Sequence, residues 1–192
     1  MKKVSVTILV AILLVFSISM DTRAATDRIG LGFTMALNRD FKSFGVLGIV
    51  PIYDNLSLVG ALSNTNTIFS GTEFGLDWCT QRLFKNTDLG LLGRIAVVEG
   101  LGKSLTGYVA GGWVKTYIWS SVNPLGMNIN SYLSFNVSYI FIPETKTNST
   151  RINVGLFDEI GENLFWDFKL GKNSEDNKII IYSCFGIYLP TK

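Results

Sequence analysis

The sequence predicts an all-β protein, an antiparallel up-and-down meander that closes into a barrel of about 8–10 strands. Apolar residues alternate with polar or small residues, with a period of two, along nearly the whole chain after residue 25. No long segment repeats its apolar residues with the period of a helix. Turn-forming residues separate the alternating segments at short intervals, and connections this short join antiparallel rather than parallel strands.

The start of the chain has the three-part pattern of a secretory signal peptide. Two lysines open it, Val4–Met20 is apolar, and small residues, Thr22 and Ala24, stand where a signal peptidase would cleave after Ala24. The apolar stretch is shorter than the roughly 20 residues of a spanning helix, which disfavours an uncleaved anchor. We therefore expect residues 1–24 to be a signal peptide and residues 25–192 to be a single exported β-barrel domain.

Ten segments show the alternation, and we predict a strand for each of them. They are residues 28–38, 43–53, 55–63, 67–79, 88–98, 106–119, 128–142, 150–158, 163–171 and 177–189. Most of these segments reach the length of about 9–11 residues that a tilted, membrane-spanning strand needs. The clearest segment, 128–142, places large apolar residues on one face and asparagine and serine on the other.

The composition of the two faces predicts which one is inside. The second face is mostly glycine, alanine, serine and asparagine, and only 17% of the whole chain is charged, whereas a water-exposed surface alone is about 25–35% charged. A narrow barrel that turns its large residues to lipid and fills its lumen with small ones fits this pattern. We therefore expect the large residues of segment 128–142 to face membrane lipid, namely Ile129, Leu133, Phe135, Val137 and Tyr139.

Five charged residues fall on the small-residue face: Glu73, Asp77, Arg94, Asp167 and Lys169. They have both signs, and unpaired charges inside a barrel would be costly, so we predict that they form salt-bridge networks in the lumen. Lys115 departs from the pattern because it shares a face with Trp113 and Tyr117. Either the register differs there or Lys115 lies at the water interface.

Aromatic residues near the predicted strand ends suggest headgroup-level belts. They are Tyr53, Trp78, Tyr117, Trp119, Tyr139 and Tyr188. Aromatic residues are favoured in strands of any kind, so this cue adds little by itself.

Histidine is absent from the chain, which excludes Ser-His-Asp and Cys-His catalytic sites. Two cysteines without histidine are too few ligands for a typical zinc site. We expect no catalytic residues, no metal and no cofactor, and the lack of a basic patch predicts no nucleic-acid partner. Cys79 and Cys184 form a disulfide or are buried thiols, and the sequence leaves both readings open.

This pattern, over the whole mature chain, resembles the small outer-membrane β-barrel class of bacteria. The resemblance implies membrane lipid and the barrel insertion machinery as partners, and a place in the outer membrane. Enzymatic barrels of the class use a catalytic histidine, so the resemblance points to non-enzymatic members with a structural or surface-loop-presenting role. The chain departs from the class at its end, because Gly186–Lys192 carries no terminal aromatic residue.

Two other functions compete with this interpretation. In a soluble, exported, lipocalin-like barrel, periplasmic or secreted, the large residues would line a pocket for a hydrophobic ligand and the small face would lie outside. In a secreted enzyme, carboxylates alone would carry the chemistry. The direction of Leu133, Phe135, Val137 and Tyr139 distinguishes a lipid-facing surface from a ligand pocket.

Overall fold

The computed structural model describes residues 28–40, 42–65, 69–84, 86–100, 102–175 and 178–190. The proposed signal peptide, residues 1–24, lies outside the described residues. Ten strands follow one another along these described residues. They are β1 (Arg28–Leu37), β2 (Lys42–Tyr53), β3 (Leu56–Thr65), β4 (Phe69–Phe84), β5 (Thr87–Gly100), β6 (Lys103–Val122), β7 (Asn128–Ile142), β8 (Thr147–Ile160), β9 (Leu164–Asn173) and β10 (Ile179–Pro190).

Each strand pairs with its neighbours in sequence, and β1 also pairs with β10, so the sheet closes into a barrel. All ten ladders are antiparallel. The predicted meander and its closure are therefore confirmed, and the strand number is at the upper end of the expected range. The start of β1 and the end of β10 lie at one end of the barrel, which we call the terminal rim, and the opposite end is the far rim.

The connections are short at both rims, from two to five residues. Asp54 and Asn55 join β2 to β3 at the predicted turn. Between β6 and β7 the side-chain oxygen of Asn123 accepts hydrogen bonds from the backbone N–H groups of Leu125 and Met127, each 2.9 Å long. This local bonding is the reason asparagine favours turns. Gly126 follows with a φ of +78°, a conformation that costs glycine little.

The outer surface is apolar, and the residues that alternate with it are buried. On β7, Leu133, Phe135 and Tyr139 are 48%, 44% and 48% exposed, while Ser134 and Asn136 between them are fully buried. Val137 is half-buried on the same outward face, and Ile129, nearer the terminal rim, is also half-buried. A lipocalin-like arrangement would turn these large residues inward, which this structure does not do. Apolar side chains outside and polar ones inside are the arrangement of a transmembrane β-barrel.

Candidate functional site in the barrel interior

Eight charged side chains are buried in the described part of the barrel. They are Glu73, Asp77, Asp88, Asp167, Arg94, Lys115, Arg151 and Lys169. Four are acidic and four are basic, so their formal charges cancel, and each residue is at most 6% exposed. Burying a charge costs several kcal/mol unless it is paired and hydrogen-bonded, so this balance is a condition for the barrel to form.

Arg94 on β5 joins two carboxylates of β4. Its Nε and Nη2 atoms donate to Asp77 at 3.0 Å and 2.5 Å, and its Nη1 donates to Glu73 Oε1 at 2.8 Å. A two-bond fork of this kind is the strong form of an ion pair. The structure thus brings together three of the five residues that the sequence placed in a lumen network.

Gly75 makes the Arg94 cluster sterically feasible. It lies directly opposite Arg94 in the β4–β5 ladder, between Glu73 and Asp77 on the same face. A Cβ atom on Gly75 would stand 2.6 Å from Arg94 Cα and 2.7 Å from Arg94 Cγ. The missing side chain therefore leaves the space through which Arg94 reaches both carboxylates.

Asp167 and Lys169 form a second, separate ion pair on β9. Lys169 Nζ donates to Asp167 Oδ2 at 2.8 Å, and both side chains are buried. The two residues lie two positions apart on one strand, so they share a face. Gly155 lies opposite Lys169 in the β8–β9 ladder, and a Cβ there would stand 2.8 Å from Lys169 Cγ. Glycine thus makes room for a long cation here as well.

Lys115 lies inside the barrel, not at the water interface. It is 1% exposed, and its Nζ stands 3.5 Å from the centroid of the Phe157 ring and 5.3 Å from that of Trp113. Asp88 lies directly opposite in the β5–β6 ladder and is also buried. The sequence correctly predicts that Lys115 shares a face with Trp113 and Tyr117. That face points into the barrel and not outward.

Arg151 and Asp88 are interior charges outside the five that were predicted for the lumen network. Arg151 Nε donates to Asn173 Oδ1 at 3.2 Å, and its guanidinium carbon lies 5.5 Å from the centroid of the Tyr182 ring. Next to it, Asn153 Nδ2 donates to Asn136 Oδ1 at 3.2 Å. The signal was present, because Arg151 alternates in phase with Asn153 on the predicted small-residue face.

Large side chains also fill the interior, contrary to the expectation of small residues and charges alone. Five rings lie in sequence towards the terminal rim, and we call them the aromatic plug: Tyr117, Tyr132, Phe157, Phe165 and Tyr188. Their successive centroids are 5.7, 6.1, 6.2 and 4.7 Å apart. Tyr117 and Tyr188 therefore do not belong to a headgroup belt, whereas Tyr53, Trp78, Trp119 and Tyr139 are exposed on the outside.

Inward glycines lie beneath these large rings. A Cβ on Gly90 would overlap the indole of Trp113, its partner in the β5–β6 ladder. A Cβ on Gly186 would stand 2.7 Å from Phe165 Cε1. The small residues of the inner face thus make space for large inward side chains on neighbouring strands.

A second apolar cluster packs inside the barrel on the β5–β7 side. It includes Leu92, Val98, Leu105, Trp113 and Ile142.

Cys79 and Cys184 do not form a disulfide in this structure. Both thiols are buried, on β4 and β10, and they belong to different apolar clusters. They act as small apolar side chains, which is the second of the two readings that the sequence left open.

Among the described residues, no group of three or more histidine, cysteine, aspartate or glutamate side chains is placed to hold a metal ion. No helix in the described part of the chain is long and apolar enough to cross a membrane.

The fold and its interior define a closed ten-stranded barrel of the transmembrane type. No protein-family model and no curated protein matches the chain. Among solved structures it is similar to outer-membrane β-barrels in fold. The KdgM porin has a TM-score of 0.49 and 9% identity, over 82% of this chain and 98% of that one.

Two further barrels match to a similar degree. LpxR from Salmonella typhimurium has a TM-score of 0.45 and 10% identity, over 83% of this chain and 100% of that one. The β domain of the Bordetella autotransporter BrkA has a TM-score of 0.46 and 9% identity, over 84% of this chain and 98% of that one.

Proposed function

We propose that this protein is a non-enzymatic, integral outer-membrane β-barrel with a closed lumen and a structural role in the membrane. The main support is the burial of the eight interior charges. None is more than 6% exposed, whereas a continuous aqueous channel past these side chains would leave them hydrated.

The outer surface supports a place in lipid. Side chains such as Phe33, Leu91 and Phe185 point outward and are 75%, 60% and 50% exposed. A soluble monomer rarely exposes apolar patches of more than a few hundred Å². An apolar band around the whole barrel is stable only against hydrocarbon, which favours an integral membrane protein over a soluble ligand carrier.

The short connections favour a structural role over the presentation of long surface loops. Both rims have connections of two to five residues. The segments between the strands are therefore limited to short turns. The proposal includes export through the N-terminal signal peptide and assembly by the barrel insertion machinery.

The proposal is tested by fractionation and by conductance. The full chain is expressed in a Gram-negative host, and membranes are washed with alkaline carbonate. We expect mature protein in the washed outer membrane, with an electrophoretic mobility that shifts on boiling. Mature protein in the soluble periplasmic fraction without a heat shift would contradict the membrane assignment.

Purified barrel is then added to planar lipid bilayers, with a known porin as the positive control. We expect no ohmic conductance above that of the detergent blank. Steady channels of reproducible size would contradict the closed lumen while leaving the membrane assignment intact.

A further inference from the structure

A groove on the outer face of the barrel lies where β8, β9 and the start of β10 approach the far rim. Its volume is about 520 Å³, within the range of about 300–1,000 Å³ typical of small-molecule sites. Its walls include Thr150, Ile152, Val154, Leu170, Lys172 and Ile179. Their strands pair directly, since Ile152 lies opposite Lys172 on one side and Ile179 lies opposite Lys172 on the other.

The walls are apolar along most of their length. Ile152, Val154, Leu170 and Ile179 are 49%, 46%, 43% and 62% exposed, so their side chains are open to whatever surrounds the barrel. Lys172 is the one charged residue among the nine residues that line the groove, and none of those nine is acidic. A lysine in such a position covers apolar surface with its stem and holds its ammonium group at the polar edge.

Hydrogen bonds fix the rim end of the groove. Ser174 N donates to Thr150 O at 2.8 Å, and Thr150 N donates to Ser174 Oγ at 3.0 Å. These bonds continue the β8–β9 pairing beyond the last paired residues, Arg151 and Asn173. The groove is therefore bounded by ordered backbone, with an apolar floor on one side and a single cation near its end.

We propose that this groove binds a membrane lipid with an anionic phosphate headgroup. One alkyl chain lies against Ile152, Val154 and Leu170, and the ammonium group of Lys172 contacts the phosphate. The inference rests on the proposed function, because only an integral barrel exposes this face to lipid. The charge of the lining indicates the class of lipid. Because Lys172 is positively charged and none of the lining residues is acidic, the groove favours an anionic over a zwitterionic headgroup.

The test is native mass spectrometry of the barrel released from nanodiscs of phosphatidylcholine that contain phosphatidylglycerol. We expect one retained phosphatidylglycerol per barrel. Lys172→Ala should reduce its retention about fivefold, the ratio that corresponds to ~1 kcal/mol per lysine near an anionic surface. Lys42→Ala is the matched control, because Lys42 is an exposed lysine at the far rim on β2, away from the groove. It should leave retention unchanged.

A second variant, Val154→Trp, fills the groove and keeps an apolar residue on the lipid face. It should abolish retention of phosphatidylglycerol. Equal retention by the wild type, Lys172→Ala and Val154→Trp would overturn the groove proposal, as would a barrel dimer in place of a lipid adduct. Failure of the proposed function is distinguishable, because the protein would then be released by the carbonate wash and would not enter nanodiscs.

Discussion

Arg94 and Asp77 form a two-bond fork inside the barrel, with Nε–Oδ1 and Nη2–Oδ2 distances of 3.0 Å and 2.5 Å. Both side chains are buried, and Glu73 accepts a third bond from the same guanidinium. One guanidinium therefore bonds to two carboxylates that lie on one face of β4. Neither carboxylate is open to water, since Glu73 and Asp77 are 1% and 2% exposed, so both depend on Arg94 for charge-assisted hydrogen bonds.

Replacement of Arg94 by methionine should destabilise the barrel by about 3–5 kcal/mol, because it leaves two buried carboxylates without their cation. The measurement is urea-induced unfolding in lipid vesicles. The double variant Asp77→Asn, Arg94→Met removes one buried charge of each sign, leaves three acidic and three basic groups in the interior, and should recover part of the loss. An Arg94→Met barrel within 1 kcal/mol of the wild type would contradict the importance of the cluster.

Gly155→Ala and Gly93→Ala are a matched pair of substitutions in the strands, which differ in the space available to an added Cβ atom. A Cβ on Gly155 would stand 2.7 Å from Lys169 Cα and would overlap the carbonyl oxygen of Phe168. Backbone cannot move aside as a flexible side chain can, so we expect a loss of about 1–3 kcal/mol. A Cβ on Gly93 would meet nothing within 4 Å, so that substitution should change stability little. Equal unfolding midpoints for the two variants would refute the steric role of the inward glycines.

Removal of two rings of the aromatic plug should open the lumen. Phe157 and Phe165 stack with centroids 6.2 Å apart, and both are at most 1% exposed. The double variant Phe157→Ala, Phe165→Ala should therefore give ion conductance in planar bilayers where the wild type gives none. The control Phe135→Ala, Tyr139→Ala removes two outward rings instead and should give no conductance. If the plug variant also gives no conductance, although its electrophoretic mobility still shifts on boiling, other side chains close the barrel.

The strand number and the inward face could be predicted because both are local properties. Alternation with a period of two reports which residues share a face, and turn residues report where a strand ends. The alternation alone therefore predicts that Glu73, Asp77 and Arg94 lie on the inward face, with no knowledge of the register. The predicted ends were less accurate, since β6 extends to Val122 where the sequence suggested residue 119. That extension comes from pairing with β7.

The aromatic plug could not be predicted, because it depends on which residues become neighbours across strands. Phe165 fits only because Gly186 lies opposite it in the β9–β10 ladder, and Trp113 only because Gly90 lies opposite it in the β5–β6 ladder. The positions of the glycines along the chain do not reveal these partners. An aromatic residue on the wall of a narrow barrel therefore has no fixed preference for lipid or lumen until the register is known.

Charge on the outer face should be tolerated according to depth. Phe135 lies in the middle of β7 and is 44% exposed, whereas Trp119 lies near the end of β6 and is 50% exposed. Phe135→Arg should cost about 2–4 kcal/mol and Trp119→Arg about 0–1 kcal/mol, the depth dependence expected for lipid-facing arginine. Unfolding in vesicles measures both. Equal costs at the two positions would mean that Phe135 does not face the hydrocarbon.

The contact between Lys115 and Phe157 should be measurable as a coupling energy. The ammonium nitrogen lies 3.5 Å from the ring centroid in a buried site, where a cation–π interaction is worth about 2 kcal/mol. A double-mutant cycle with Lys115→Met and Phe157→Leu retains apolar volume while it removes the charge and the ring. We expect a coupling of about 1–2 kcal/mol, a size typical of residues in direct contact. A parallel cycle with Phe165→Leu, the next ring of the plug, should give a coupling near zero. Similar couplings in the two cycles would show that Lys115 acts through packing of the whole plug and not through the Phe157 ring.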